Sequence, residues 1–143
     1  MTLSDIAPLF ERAKTGDVAA LDAISDAAGE LCELDWLLAD DEIDVHDEWR
    51  GRYHKEDGAE FRGMWNAHGD HAPCVSADCA LSLPMPKGYG RDWSEIVDAV
   101  DLFGPADEHL HVFDYTDPPN LPLALTCAAL CANLHAKENA DAR

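Results

Sequence analysis

Residues 121–134 carry no charged side chain, although the chain as a whole has a formal net charge of −19 over 143 residues. The segment is rich in Ala and Leu, tolerates Pro122 in a first helical turn, and predicts a helix over residues 121–136. Because a helix without charge offers water no solvated face, we expect it to lie inside the fold. Its predicted core residues are Leu123, Leu125, Cys127, Ala128, Ala129, Leu130 and Cys131.

The acidity of the chain constrains its partners. Asp and Glu number 29 against 10 Lys and Arg, while 47% of the residues are hydrophobic, enough to build a core. Residues 17–60 hold 15 acidic and three basic residues, so one side of the fold should be strongly negative. Such a domain repels anions and attracts cations. Direct nucleic-acid binding is therefore disfavoured, since phosphate contacts dominate that affinity.

Three further sequence features indicate the cellular compartment of the protein. No stretch of about 18 apolar residues predicts a membrane span. The N-terminal segment lacks the basic and apolar runs of a secretory signal. The cysteine count of five is odd and suggests reduced thiols rather than a disulfide framework. These features predict a cytoplasmic protein.

The local patterns predict one α+β domain over residues 1–143. Helices are expected over 4–14, 17–38, 75–83 and 121–136, the first three capped by Ser4, Asp17 and Ser76. Residues 93–100 fit a strand or a helix, and residues 108–115 alternate as a strand does. Residues 39–73 show no clean period and form an irregular acidic segment. The element order suggests helices packed on a small antiparallel sheet.

An acidic face is predicted on the second helix. Its apolar stripe includes Leu21, Ile24, Leu31 and Leu34, and the acids fall on other faces. More acids follow between residues 40 and 48. The candidate partner-binding residues are Asp22, Asp26, Glu30, Glu33, Asp40, Asp41, Glu42, Asp44, Asp47 and Glu48.

The best candidate metal ligands are His68, His71, Cys74 and Cys79. Zinc takes four N and S ligands, but this spacing fits no common zinc motif, and tetrahedral closure needs all four side chains to converge. No metal and no cofactor is therefore predicted. A nucleophilic pair of Cys74 with His111 is conceivable, with His109 and His111 expected on one side of their strand. No nucleotide-binding, nucleophile-elbow or metalloprotease motif occurs, so an enzyme is the less favoured class.

Three segments together resemble the phage ABA sandwich domain family of small tailed-phage and prophage proteins. They are residues 6–31, residues 74–90 with the sequence CVSADCALSLPMPKGYG, and residues 121–136. The middle segment carries the most specific match, through Ser76, Asp78, Ala80, Leu81, Leu83, Pro84 and the turn at Gly88 and Gly90. The resemblance covers about half of the chain, and the insertion at 39–73 departs from it. It implies an α-β-α sandwich of phage or prophage origin and no catalytic residues.

These observations predict a non-enzymatic phage or prophage accessory protein that binds a basic protein surface in the cytoplasm of a bacterial host. In its sharper form it is a counter-defence inhibitor whose acidic face mimics nucleic acid and occupies the basic nucleic-acid channel of a host defence enzyme. One alternative is a small phage protein that is acidic for solubility only. The other is a zinc- or thiol-dependent hydrolase built on His68, His71, Cys74 and Cys79.

Overall fold

The computed structural model describes residues 1–41, 71–94, 98–115 and 120–141, with side chains over 1–31, 71–93, 98–115 and 120–140. Within these ranges, five α-helices and three strands follow one another in the order α, α, α, α, β, β, β, α, with a short 3-10 helix at Pro105–Asp107 before the last strand. The helices are α1 (Leu3–Lys14), α2 (Val18–Asp41), α3 (Ala72–Val75), α4 (Ala77–Leu81) and α5 (Leu121–Asp141). The strands are β1 (Gly90–Ser94), β2 (Ala99–Phe103) and β3 (His109–Asp114).

The helix starts follow from capping side chains. At α2, the Asp17 carboxylate accepts from the N–H of Ala20 at 3.2 Å, and at α4 the Ser76 hydroxyl accepts from the N–H of Cys79 at 3.3 Å. Both predicted caps are confirmed. The predicted cap Ser4 is wrong: α1 begins after Thr2, whose N–H donates to the Asp5 carboxylate at 2.7 Å. Asp5 lies three residues after Thr2, the spacing of a capping box.

The expected helix 17–38 continues to Asp41, so the predicted insertion begins in helix. Its far end, residues 71–73, leads into α3 and is also ordered. The part of the insertion from 42 to 70 lies outside the described residues.

Helix α5 is the centre of the core. It contacts the three strands and the helices α1 to α4, which explains why its residues 121–134 carry no charge. All seven residues predicted as its core are buried, including both thiols. The helix ends at Asp141, five residues later than predicted. None of the helices in the described part of the chain is long and apolar enough to span a membrane.

The sheet is an antiparallel meander in the order β1-β2-β3, and the prediction of an α+β fold with helices on a small antiparallel sheet is confirmed. Its inner face carries Val100, Leu102 and Phe113, all buried. Phe10 of α1 meets Phe113 edge-on, with ring centroids 5.1 Å apart. The sheet thus packs against α5, which contacts all three strands, and against Phe10 of α1. The three-layer α-β-α arrangement that the family resemblance implies stays a prediction.

One strand was not predicted at its place. The segment 93–100 contains the end of β1, a turn at Asp98 and the start of β2, rather than one strand or one helix. Strand β1 occupies Gly90–Ser94, where the glycines predict a turn. It pairs along its whole length with β2, from Gly90 opposite Phe103 to Ser94 opposite Ala99. The segment is therefore a strand because of this pairing, and its local sequence does not favour one.

Candidate functional site

Three of the predicted partner-binding acids form an exposed row on α2. Asp22, Asp26 and Glu30 follow one another at intervals of four residues, and all three are exposed. Ile24 and Ala28 of the same helix are fully buried. The predicted separation of acidic and apolar faces is therefore confirmed for these three. The acidic row means Asp22, Asp26 and Glu30 from here on.

The remaining predicted acids are described less fully. Asp40 and Asp41 lie in the last turn of α2, and the side chains of Glu33, Asp40 and Asp41 lie outside the described part of the chain. The residues Glu42, Asp44, Asp47 and Glu48 fall wholly outside it. Their role in binding a partner stays a prediction.

The three residues of the acidic row differ in their hydrogen bonds and ion pairs. The Asp22 carboxylate lies 2.6 Å from Nε2 of His71 and so ties α2 to the start of α3. Within the described residues, Asp26 and Glu30 make neither a hydrogen bond nor an ion pair. Their charges are available to a partner on that part of the surface.

Asp26 and Glu30 stand on the rim of a long groove. A depression of about 470 Å³ between α1 and α2 is lined by Pro8, Leu9, Ala23 and Ala27, with Asp5, Arg12, Asp26 and Glu30 as its charged groups. A second, of about 530 Å³, shares Met1, Ala27 and Glu30 with the first and runs on to α5 over Leu31, Leu130 and Leu134. We call the two together the α1–α2–α5 groove.

Carboxylates outnumber cations in the α1–α2 part of the groove, with Asp5, Asp26 and Glu30 set against Arg12 and the α-ammonium group of Met1. Arg12 is already paired with Asp17, its Nε 2.9 Å from a carboxylate oxygen. Lys137 lies at the α5 end. A groove with an apolar floor and unpaired carboxylates on its rim suits a partner that brings apolar side chains flanked by cations.

The candidate zinc ligands are not brought together. Cys74 packs in the main core and Cys79 in a smaller cluster with Ala28, Leu83 and Ala129. His71 is held by Asp22, and His68 lies outside the described residues. Within the described ranges, no three His, Cys, Asp or Glu side chains are arranged to hold a metal ion.

The candidate thiol nucleophile is held in its unreactive form. Burial raises the pKa of Cys74 to about 11, although a contact with the Ser25 hydroxyl at 3.5 Å acts in the opposite direction. The thiolate is the nucleophile, so a thiol with this pKa is inert at neutral pH. The His111 ring lies against Phe113, with centroids 4.4 Å apart, and has no contact with Cys74.

The prediction that His109 and His111 face the same side is wrong. The register shifts between Leu102, opposite His111, and Phe103, opposite His109, so Leu110 is the extra residue of a β-bulge. His111 therefore lies on the inner face beside buried Phe113. The His109 ring turns to the outer face, 3.0 Å from the Asp101 carboxylate and edge-on to Phe103.

Arg91 was not singled out from the sequence. It lies on β1, but its guanidinium reaches inward and donates to the carbonyls of Ala80 and Leu125, both at 3.0 Å. Burial lowers its pKa to about 10, so it remains charged at neutral pH. Arg91 therefore joins the end of α4 to α5. A basic residue beside two glycines gives no local sign of such a contact.

Comparison with protein-family models, with curated proteins and with solved structures finds no match to this chain. The resemblance to the phage ABA sandwich domain family therefore stays a prediction.

Proposed function

We propose that the protein is non-enzymatic and acts by binding the basic surface of another protein through the acidic row and the adjacent groove. The observation that carries the proposal is the pair Asp26 and Glu30: exposed, unpaired among the described residues, and set on the rim of an apolar groove. Charge at the rim steers a partner, while apolar floor area supplies the burial that stabilises a complex.

The net charge of −19 supports a cationic partner. A field of one sign extends over the surface and raises the rate at which an oppositely charged protein finds it. It also opposes the approach of DNA or RNA itself, so nucleic acid is not the proposed ligand.

The sharper form of the proposal is a counter-defence inhibitor of phage or prophage origin, acting in the bacterial cytoplasm. Its partner is then a host defence enzyme with a basic nucleic-acid channel. The charge and the family resemblance support this form. The three carboxylates of the acidic row cover only about 12 Å along α2, whereas a protein that binds nucleic acid typically contacts about 6–10 phosphates. Mimicry therefore needs the acids between 33 and 48 in addition to the acidic row.

Paired charge-reversal variants test the proposal. The full chain, immobilised as wild type, as Asp26→Lys/Glu30→Lys and as the control Asp78→Lys/Glu138→Lys, is used to capture proteins from a bacterial lysate. Both double variants change the net charge equally, but Asp78 and Glu138 line neither depression of the groove. A basic protein retained by wild type and control, and lost from Asp26→Lys/Glu30→Lys, supports the proposal. Equal retention by all three leaves acidity as a solubility trait.

A further inference from the structure

A second cavity lies on the opposite side of α1 from the groove and is independent of the proposed function. It measures about 320 Å³, opens to solvent on one side and is bordered by α1, β2, β3 and α5. Its walls are Leu3 and Ala7 from α1, Leu102 and Leu110 from the sheet, and the thiol of Cys131. Pockets for small organic molecules begin at about this volume and are mostly apolar, with a few converging polar groups.

The β-bulge creates this cavity. Because Leu110 is the extra residue, both Leu110 and His111 border the space between the sheet and α5. Gly104 makes room for Leu110, since a Cβ at Gly104 would lie 3.0 Å from its Cδ1. The turn that follows holds Ala106 and Asp107 at φ 61° and 58°, a conformation that ordinary residues rarely adopt. It places Glu108 at the mouth.

The titratable polar residues lining the cavity are Glu108 and three histidines, His109, His111 and His135. Burial lowers the pKa of His111, with His109 contributing, so the ring is neutral at neutral pH. Its nitrogens have no hydrogen-bond partner among the described residues. His135 is fixed by the Tyr89 hydroxyl at 2.7 Å from its Nδ1. Burial raises the pKa of Cys131 to about 12, which keeps that wall uncharged.

These groups favour a cation over an anion. Glu108 is the charged side chain at the cavity mouth, and the whole molecule is strongly negative. A neutral imidazole such as that of His111 accepts a hydrogen bond from an ammonium group. A bound carboxylate would instead meet the carboxylate of Glu108, and His109, which also lines the cavity, is already paired with Asp101 at 3.0 Å.

We propose that this cavity binds a small organic amine as its ammonium ion. The apolar body lies among Leu3, Ala7, Leu102 and Leu110, and the ammonium group donates to Glu108 and His111. No bond is made or broken.

Three probes of matched size test the ligand class on the full chain at pH 7.5. They are 2-phenylethylamine, 2-phenylethanol and phenylacetate, followed through the imidazole resonances of His111 and His135 by two-dimensional NMR. The amine should give saturable shifts at roughly millimolar concentration, as its small size dictates. The alcohol should bind more weakly and the acid least. No saturable shift with the amine, or shifts of equal affinity with all three probes, overturns the proposal.

Variants locate the binding. Leu110→Trp fills the cavity from the sheet, and Ala7→Leu fills it from α1 should the first variant unfold. Val112→Trp is the matched control, because Val112 is 44% exposed and lies outside the cavity lining. Amine binding should be lost in both filled variants and kept in the control. Glu108→Gln should weaken it by about two- to fivefold, the effect of a partly exposed ion pair. Binding that persists in a folded filled variant, or is unchanged in Glu108→Gln, places the amine elsewhere.

Discussion

At the scale of single residues, buried polar side chains connect the helices around α5. Thr126 is fully buried in the second turn of α5, and its hydroxyl donates to the carbonyl of Pro73 at 2.6 Å. Arg91 reaches α5 from the sheet in the same way, through the carbonyl of Leu125. A buried polar atom without a partner is destabilising, so each contact fixes how a neighbour packs on α5.

The contribution of Thr126 can be measured with two variants. Thr126→Val keeps the volume of the side chain but removes the hydroxyl, so the Pro73 carbonyl loses this donor inside the core. The free energy of unfolding should fall by about 1–3 kcal/mol, measured by urea denaturation. Thr126→Ser retains the hydroxyl and should keep part of that stability. A Thr126→Val protein as stable as wild type would mean that another donor reaches the carbonyl.

At the scale of elements, helices proved easier to predict than strands. Asp17 and Ser76 mark helix starts because a capping bond forms within three residues of the chain. Strand β1 depends on pairing with β2, and its own glycines indicate a turn. The exposure of the acidic row follows from helical spacing and was predicted. The cavity was not predicted, because it depends on a register shift between β2 and β3 that no local pattern signals.

The carboxylates at the starts of α1 and α2 should make folding depend on pH. Hydrogen bonding to the Thr2 backbone lowers the pKa of Asp5, and the hydrogen bond from Arg12 lowers that of Asp17. A carboxylate whose pKa is lower in the folded state stabilises the fold above its unfolded pKa of 3.8. That stabilisation is lost as the pH falls through the folded-state pKa.

The comparison uses Asp5→Asn/Asp17→Asn and wild type, unfolded with urea at a series of pH values from 7 to 2. Wild type should be the more stable at pH 7, and the difference should shrink as the pH drops below about 4. Asp26→Asn, which removes a charge from α2 without touching a capping contact, serves as the control. A difference that stays constant or grows towards low pH would contradict the assignment.

At the scale of the whole molecule, charge is segregated. The uncharged centre of α5 contacts the sheet and the other described helices, while the acidic row faces outward on α2. A surface with one dominant sign acts over a distance set by salt, since the Debye length is about 8 Å at 0.15 M. The proposed partner should therefore respond to ionic strength chiefly through its rate of association.

Stopped-flow mixing with the purified partner, identified by its loss from Asp26→Lys/Glu30→Lys, tests this expectation. Association should slow as salt rises from 0.05 to about 0.3 M, while dissociation changes less, because screening weakens attraction before contact more than packing after it. Reversing several of the acids between 40 and 48 should slow association far more than reversing one, since the long-range field sums over charges. The residues to be changed to Lys are Asp40, Asp41, Glu42, Asp44, Asp47 and Glu48.

Competition by nucleic acid distinguishes mimicry from protein binding that does not involve a nucleic-acid channel. If the acidic surface occupies a nucleic-acid channel, added DNA or RNA should compete with the protein for the partner, and the competition should weaken at higher salt because phosphate contacts release counterions. A ternary complex that holds the partner, this protein and nucleic acid at once would exclude mimicry. If association were also independent of salt and tolerant of the charge reversals, the partner would bind through the apolar floor of the α1–α2–α5 groove. In that case Leu9→Ala and Leu134→Ala should weaken binding, whereas the charge-reversal variants should not.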